Sequence, residues 1–178
     1  MKPAVFIDKD GTLVHDVPYN VDPSRIAVRE EAGEALRRLQ RAGFELVLVS
    51  NQAGVALGHF DEDALDEVWS HLRERLGQDG VDLSAFYYCP HPPGGGCDCR
   101  KPKPGMLQRA AQERDIDLAR SWMLGDILDD VEAGHRAGCR SVLLDVGSET
   151  EWRESELRTP AFLARDLERA AHFILASS

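Results

Sequence analysis

AVFIDKDGT, residues 4–12, joins an apolar run to two closely spaced aspartates. Its first four residues form an apolar run suited to a buried parallel strand, and Asp8 and Asp10 follow where that strand ends. The same arrangement, an apolar run followed by a polar or glycine-containing turn, recurs at Phe44–Val49, Ala85–Tyr88, Trp122–Leu124 and Ser141–Leu144. The sequence therefore predicts five strands, each leading into polar residues.

Helical patterns lie between and after these strands. Apolar residues share one helix face in three segments: Ala32, Ala35, Leu36 and Leu39; Leu65, Val68, Trp69, Leu72 and Leu76; and Leu163, Leu167, Ala170 and Ile174. Strands that alternate with helices imply right-handed crossovers and a parallel sheet covered by helices on both faces. In such an α/β fold the functional groups gather at the carboxyl ends of the strands.

Size and charge narrow the class of protein. The 178 residues fit one domain, residues 1–178, and would be cramped as two. With 31 acidic and 21 basic residues, the net charge of -10 disfavours nucleic acid and anionic membranes as partners. No apolar run approaches the roughly 20 residues that span a bilayer, and the run at residues 4–7 is too short for a signal peptide. We therefore expect a cytoplasmic protein, and we expect it to be a monomer.

Four groups of polar residues fall at or soon after the predicted strand ends. They are Asp8 and Asp10; Ser50-Asn51-Gln52 with Gly54; Arg100-Lys101-Pro102-Lys103-Pro104-Gly105; and Gly125-Asp126 with Asp129 and Asp130. Each group alone also fits an ordinary turn, loop or helix cap. Because they follow one another in order along the strands, they are better explained by convergence on one pocket. Such a pocket would combine carboxylates for a cation with donors for an oxyanion.

Three of the four cysteines lie close together. Cys89, His91, Cys97 and Cys99 offer three thiolates and one imidazole, a complete set for a closed tetrahedral zinc site. Four soft ligands favour a structural ion over a catalytic one. The alternative, reactive or disulfide-bonded cysteines, is disfavoured in a reducing compartment. Cys139 stands apart and is expected to be a small buried apolar residue.

The motifs resemble those of the haloacid dehalogenase superfamily of phosphatases. The matching residues are Asp8-x-Asp10-Gly-Thr, Ser50, Lys101 and Gly125-Asp126-x-x-x-Asp130. The segments Tyr88-Cys89-Pro90-His91 and Cys97–Met106 are most similar to the short, capless, zinc-containing branch that holds the heptose bisphosphate phosphatases and histidinol-phosphate phosphatases. The resemblance implies a five-stranded parallel sheet with the first strand central and no cap domain.

The resemblance also implies a role for each matching residue. Asp8 would be the nucleophile, and Asp10 would be the general acid and then the general base. Magnesium would be bound by Asp8, Asp126 and the backbone carbonyl of Asp10, with Asp130 orienting these ligands. Phosphate and the rest of the substrate would be bound by Ser50, Asn51, Arg100 and Lys101. Zinc would be bound by the three cysteines and His91.

The substrate is expected to be a small phosphate ester. Asn51-Gln52-x-Gly54 and Lys103–Met106 resemble the heptose enzymes, which implies removal of the 7-phosphate of D-glycero-D-manno-heptose 1,7-bisphosphate. The short spacer between His91 and Cys97 also suits the histidinol-phosphate enzymes, and the segment Asp145–Trp152 lacks the glycine-rich turn common in the heptose enzymes. The choice between this substrate and another sugar phosphate therefore stays open. A zinc scaffold that binds a phosphorylated ligand without turnover is the alternative of a different class, but it would not need Asp10.

Overall fold

One parallel sheet organises the chain in the computed structural model, which describes residues 1–178. Its strands are β1 Ala4–Asp8, β2 Glu45–Asn51, β3 Ala85–Cys89, β4 Trp122–Gly125, β5 Arg140–Leu144 and β6 Phe162–Ala164. They lie in the order β3-β2-β1-β4-β5-β6, and every neighbouring pair is parallel. As predicted, the first strand is internal, so both of its edges are hydrogen-bonded. The strand order reverses at β1, which is where ligands bind in open sheets of this kind.

Helices cover both faces of this sheet. They are α1 Ala32–Arg41, α2 Glu62–Gly77, α3 Gly105–Arg114, α4 Leu128–Ala137 and α5 Leu167–Ala176. Short 3₁₀ turns occur at Pro23–Arg25, Leu118–Arg120 and Glu156–Arg158. None of the helices is long and apolar enough to cross a membrane.

The core divides into two main layers because side chains alternate along each strand. In β1, Val5 and Ile7 join the apolar layer that includes α1, α2 and α5, whereas Ala4 and Phe6 join the layer that includes α3. All four side chains are fully buried. The apolar run at the start of the chain is therefore continuous because both faces of its strand are covered.

The sheet has six strands, so the expectation of five is wrong by one. Leu163 does not begin the last helix as its spacing predicted; it lies in β6, which pairs with β5, and its side chain is half exposed. The helix begins at Leu167 because Asp166 caps it, accepting the backbone N–H of Arg169 at 2.7 Å. A strand of three residues is too short to show a period-two pattern.

Candidate active site

The turn after β1 is held rigidly beside the end of β4. Gly11 has a positive φ of 87°, and a side chain there would collide with the carboxylate of Asp126. The guanidinium of Arg29 donates to the carbonyl of Gly11 at 2.7 Å and to that of Thr12 at 3.0 Å. The hydroxyl of Thr12 in turn donates to Asp126 at 2.9 Å. These contacts bring the carboxyl ends of β1 and β4 together.

Lys101 reaches into this junction from the basic segment before α3. Its ammonium lies 2.5 Å from Asp8 Oδ1 and 2.5 Å from Asp130 Oδ1, and it donates to the carbonyl of Val49 at 3.3 Å. Burial acts to lower the pKa of Lys101, but the adjacent carboxylates of Asp130 and Asp8 outweigh it and raise that pKa. The lysine is therefore a buried cation at working pH.

Three buried carboxylates share the site. Asp8, Asp126 and Asp130 each place an oxygen within 4.8 Å of the others. Burial raises the pKa of Asp8 well above its usual value, and the neighbouring carboxylates add to this while Lys101 opposes it. Burial, and then Asp130, raise the pKa of Asp126. Three clustered carboxylates with one lysine carry excess negative charge, and hard oxygen donors of this kind fit a divalent cation such as magnesium.

Asp130 has both oxygens occupied by the protein. Oδ1 accepts from Lys101, and Oδ2 accepts the backbone N–H groups of Asp126 and Ile127, each at 3.2 Å. Its contacts therefore fix the lysine and the loop that carries Asp126. Asp129, beside it, is paired with Arg158 at 2.6 Å on the outer side of α4.

Asp10 is held by two side chains that the sequence did not single out for this role. Its Oδ1 is paired with the ammonium of Lys9, and its Oδ2 accepts from Gln52 Nε2 at 2.9 Å. Gln52 also donates to the hydroxyl of Ser50 at 2.8 Å, and that hydroxyl lies 3.4 Å from Asp10. Sequence shows only that Lys9 stands between two aspartates; its burial, which requires a charged partner, is seen in the structure alone.

Asn51 directs its amide toward the backbone of Lys101. Its Nδ2 donates to the carbonyl of Lys101 at 3.2 Å, and its Oδ1 accepts the N–H of the same residue at 3.0 Å. The side chain thus satisfies both backbone groups from which the buried lysine projects.

A cleft of about 250 Å³ opens above Asp10. Its walls come from three loops, and the lining residues are Asp10, Asp16, Tyr19, Asn20, Asn51, Gln52, Ala53, Gly54, Leu57, Pro93 and Arg100. Two of these loops meet through the stacked rings of Tyr19 and His59, whose centroids are 4.2 Å apart. The lining is mostly polar, which suits a hydroxylated ligand better than an apolar one.

The predicted zinc ligands lie together at the end of β3. The sulfur of Cys89 is 3.0 Å from that of Cys99 and 3.6 Å from that of Cys97, and Nδ1 of His91 is 3.2 Å from the sulfur of Cys99. A zinc tetrahedron with metal–ligand distances of about 2.0–2.3 Å has edges of about 3.3–3.8 Å, so the Cys89–Cys97 separation fits such a site and the two shorter separations would lengthen on binding the ion. All four cysteines are unpaired thiols, and Cys139 is buried in the second core layer.

Known proteins match the chain over most of its length. A family described as HAD-hydrolase-like matches residues 98–170. The D-glycero-beta-D-manno-heptose-1,7-bisphosphate 7-phosphatase of Pasteurella multocida is 37% identical over 183 residues, covering 99% of this chain and 93% of that protein. The enzyme of the same name from Escherichia coli K12 is 37% identical over 182 residues, covering 98% of this chain and 89% of that protein.

A solved structure shares the whole fold. The D,D-heptose 1,7-bisphosphate phosphatase of B. bronchiseptica, crystallised with magnesium and phosphate, superimposes with a TM-score of 0.84 at 32% identity and covers 99% of both chains. Identity of this degree over nearly the full length shows that the chain belongs to the haloacid dehalogenase-like hydrolases and is a phosphatase.

Proposed function

We propose that this phosphatase uses magnesium and transfers the phosphoryl group first to Asp8 and then to water. The observation that carries the proposal is the position of Lys101, whose ammonium contacts both Asp8 and Asp130 next to Asp126. A carboxylate attacks an anionic phosphate only when the negative charge around the transferring group is neutralised. The buried lysine provides part of that neutralisation and supports this role for Asp8.

Asp8, Asp126 and the carbonyl of Asp10 would hold the magnesium ion, and Asp130 would hold the loop of Asp126 in place. When bound, the ion supplies positive charge to the phosphoryl oxygens. Lys101 and the hydroxyl of Ser50 would bind those oxygens as well.

The chemistry divides into two steps that both use Asp10. In the first, an Asp8 oxygen bonds to phosphorus, the bond to the leaving oxygen breaks, and Asp10 gives that oxygen a proton. In the second, Asp10 takes a proton from water as the water attacks phosphorus, the bond to Asp8 breaks and phosphate leaves. Gln52 and Lys9 would hold the Asp10 carboxylate in position for both transfers.

The zinc ion would be structural and would fix the basic segment that follows it. Cys99, its last ligand, is directly followed by Arg100 and Lys101. Lys103 also donates to the carbonyl of Cys97 at 2.6 Å, which ties the far end of the segment back to the ligand loop. Zinc ligation by cysteine requires reduced thiols, so we also propose that the protein acts in the cytoplasm.

The substrate we propose is D-glycero-D-manno-heptose 1,7-bisphosphate, with hydrolysis of the 7-phosphate. The 37% identity of relatives with that activity in their names, over 98–99% of this chain, supports it. The cleft adds a cation, Arg100, among polar groups, which suits a second phosphate on a hydroxylated ligand.

A phosphate-release screen tests this proposal. Purified enzyme with magnesium is given the heptose bisphosphate as separate α and β anomers, hexose phosphates, histidinol phosphate and nucleoside monophosphates. We expect kcat/KM for one heptose anomer to exceed every other value by at least about tenfold, or about 1.4 kcal/mol in transition-state binding. A preference for histidinol phosphate would contradict the substrate, and release from none of the esters would support a binding scaffold instead.

A further inference from the structure

The segment 147–158, which follows β5, is fastened to α4 at both ends. At its start, Glu149 Oε2 accepts the backbone N–H of Leu128, the first residue of α4, at 2.7 Å. At its end, Arg158 pairs with Asp129 and with Glu132, both at 2.6 Å. A segment with only one 3₁₀ turn is thus fixed along the helix that begins beside the carboxylate site.

Glu149 completes a set of contacts on the loop between β4 and α4. Three consecutive backbone N–H groups in this loop each bind a carboxylate: those of Asp126 and Ile127 bind Asp130, and that of Leu128 binds Glu149. The second oxygen of Glu149 accepts the N–H of Glu151 at 2.8 Å, which restrains its side chain. The loop that carries Asp126 is therefore held by two carboxylates. Asp130 binds it from within α4, and Glu149 binds it from the segment that follows β5.

We propose that Glu149 is a positioning residue that sets the affinity of the site for its divalent cation. The inference rests on the proposed function, in which Asp126 is a metal ligand. Groups that hold a metal ligand fix its orientation, and their loss commonly reduces metal affinity by about 10–100-fold; because Glu149 binds the loop two residues from Asp126, we expect the lower end of that range. Without Glu149, the N–H of Leu128 would hydrogen-bond to water, and the loop would gain conformational freedom. Cation binding would then have to order the loop, which lowers the affinity.

A capping role limited to stability is the competing explanation, and magnesium titrations separate the two. Glu149→Ala, Glu149→Gln and the control Glu151→Ala are exchanged into magnesium-free buffer, their zinc content is checked, and magnesium is added back. Glu151 lies in the same segment, but its carboxylate pairs only with exposed Arg153. The readouts are the rise in melting temperature on adding magnesium and the magnesium concentration for half-maximal phosphate release.

We expect Glu149→Ala to raise the half-maximal magnesium concentration about tenfold, with kcat at saturating magnesium within about twofold of wild type. Glu149→Gln keeps an oxygen acceptor, so its half-maximal magnesium concentration should lie closer to that of wild type. The control Glu151→Ala should have the wild-type value. A lower melting temperature for Glu149→Ala with unchanged magnesium dependence would overturn this inference and would not affect the proposed function. A wild-type enzyme with no response to magnesium would overturn the proposed function and, with it, this inference.

Discussion

Lys101 and Asn51 show how single side chains create the charge pattern of the site. The lysine is buried between two carboxylates, so it is held in place by charge. Its backbone is held separately, by the Asn51 amide. The position of Lys101 and its charge are therefore maintained by different residues, and each can be tested alone.

Asn51→Asp should disturb the position of Lys101 without removing it. The new carboxylate keeps an acceptor for the lysine N–H but places an oxygen against the lysine carbonyl, in place of the donor. We expect kcat/KM to fall by about 10-fold or more, and we expect weaker inhibition by inorganic phosphate. The reason is that leaving the Lys101 carbonyl without its hydrogen bond costs about 1–3 kcal/mol. Steady-state kinetics and phosphate inhibition measure both.

The matched control is Gln40→Glu, far from the site. The Gln40 amide also bridges backbone groups, accepting the N–H of Asp82 at 2.7 Å and donating to the carbonyl of Gly80 at 3.4 Å. This variant should lose stability and keep wild-type kinetics. Equal kinetics for both variants would show that Asn51 does not position Lys101.

Asp126→Asn should stabilise the protein when no metal is bound. The pKa of Asp126 is raised by burial, so folding favours its protonated form. Stability of the metal-free protein therefore falls as pH rises from the unfolded pKa through the folded one, and the amide removes this loss. In magnesium-free buffer at pH 8, with equal zinc content in both proteins, we expect a higher melting temperature for the variant, by about 2–4 °C per kcal/mol recovered. The difference should shrink at low pH, and a less stable variant at pH 8 would contradict the account.

At the scale of elements, the loop of residues 89–99, which carries the four proposed zinc ligands, links the end of β3 to the basic segment. Only Cys89 is buried in this loop, and residues 93–96 are all exposed, so the loop has almost no apolar core of its own. The zinc ion proposed for this loop would replace the hydrophobic contacts that usually fix a loop. The clustering of these four side chains was predictable from sequence because three cysteines and one histidine at this spacing form a complete set of zinc ligands. By contrast, β6 was missed because three residues carry no periodicity.

Cys97→Ser should lose zinc, stability and turnover together. Zinc binding energy is also folding energy for this loop, and Lys101 follows directly on its last ligand. We expect a zinc content near zero, a melting temperature several degrees lower and at least about a 10-fold loss of kcat/KM in the folded remainder. Zinc analysis, thermal melts and kinetics on one preparation provide the test, with Cys139→Ser as the control outside the cluster. A zinc-free variant with normal stability and kinetics would exclude the role.

At the scale of the whole molecule, the sheet brings together groups that are distant in sequence. Asp8, Lys101 and Asp126 meet because β1 lies between β2 and β4; strand-helix alternation predicted the parallel sheet, and the family resemblance implied its central first strand. The contacts of Gln52, Lys9 and Glu149 were not predictable in the same way. They depend on which rotamer reaches which neighbour, and a lone glutamate in a polar segment has no pattern that marks it.

Trapping a phosphorylated enzyme would show whether the phosphoryl group passes through Asp8. Asp10→Asn is mixed with magnesium and p-nitrophenyl phosphate, whose good leaving group needs no proton, so the first step proceeds while hydrolysis lacks its base. After a quench and borohydride reduction, we expect peptide mass spectrometry to find residue 8 converted to homoserine. The product should disappear without magnesium and in the Asp8→Asn/Asp10→Asn double variant. A burst of p-nitrophenol with residue 8 unmodified, or with another residue phosphorylated, would contradict the account.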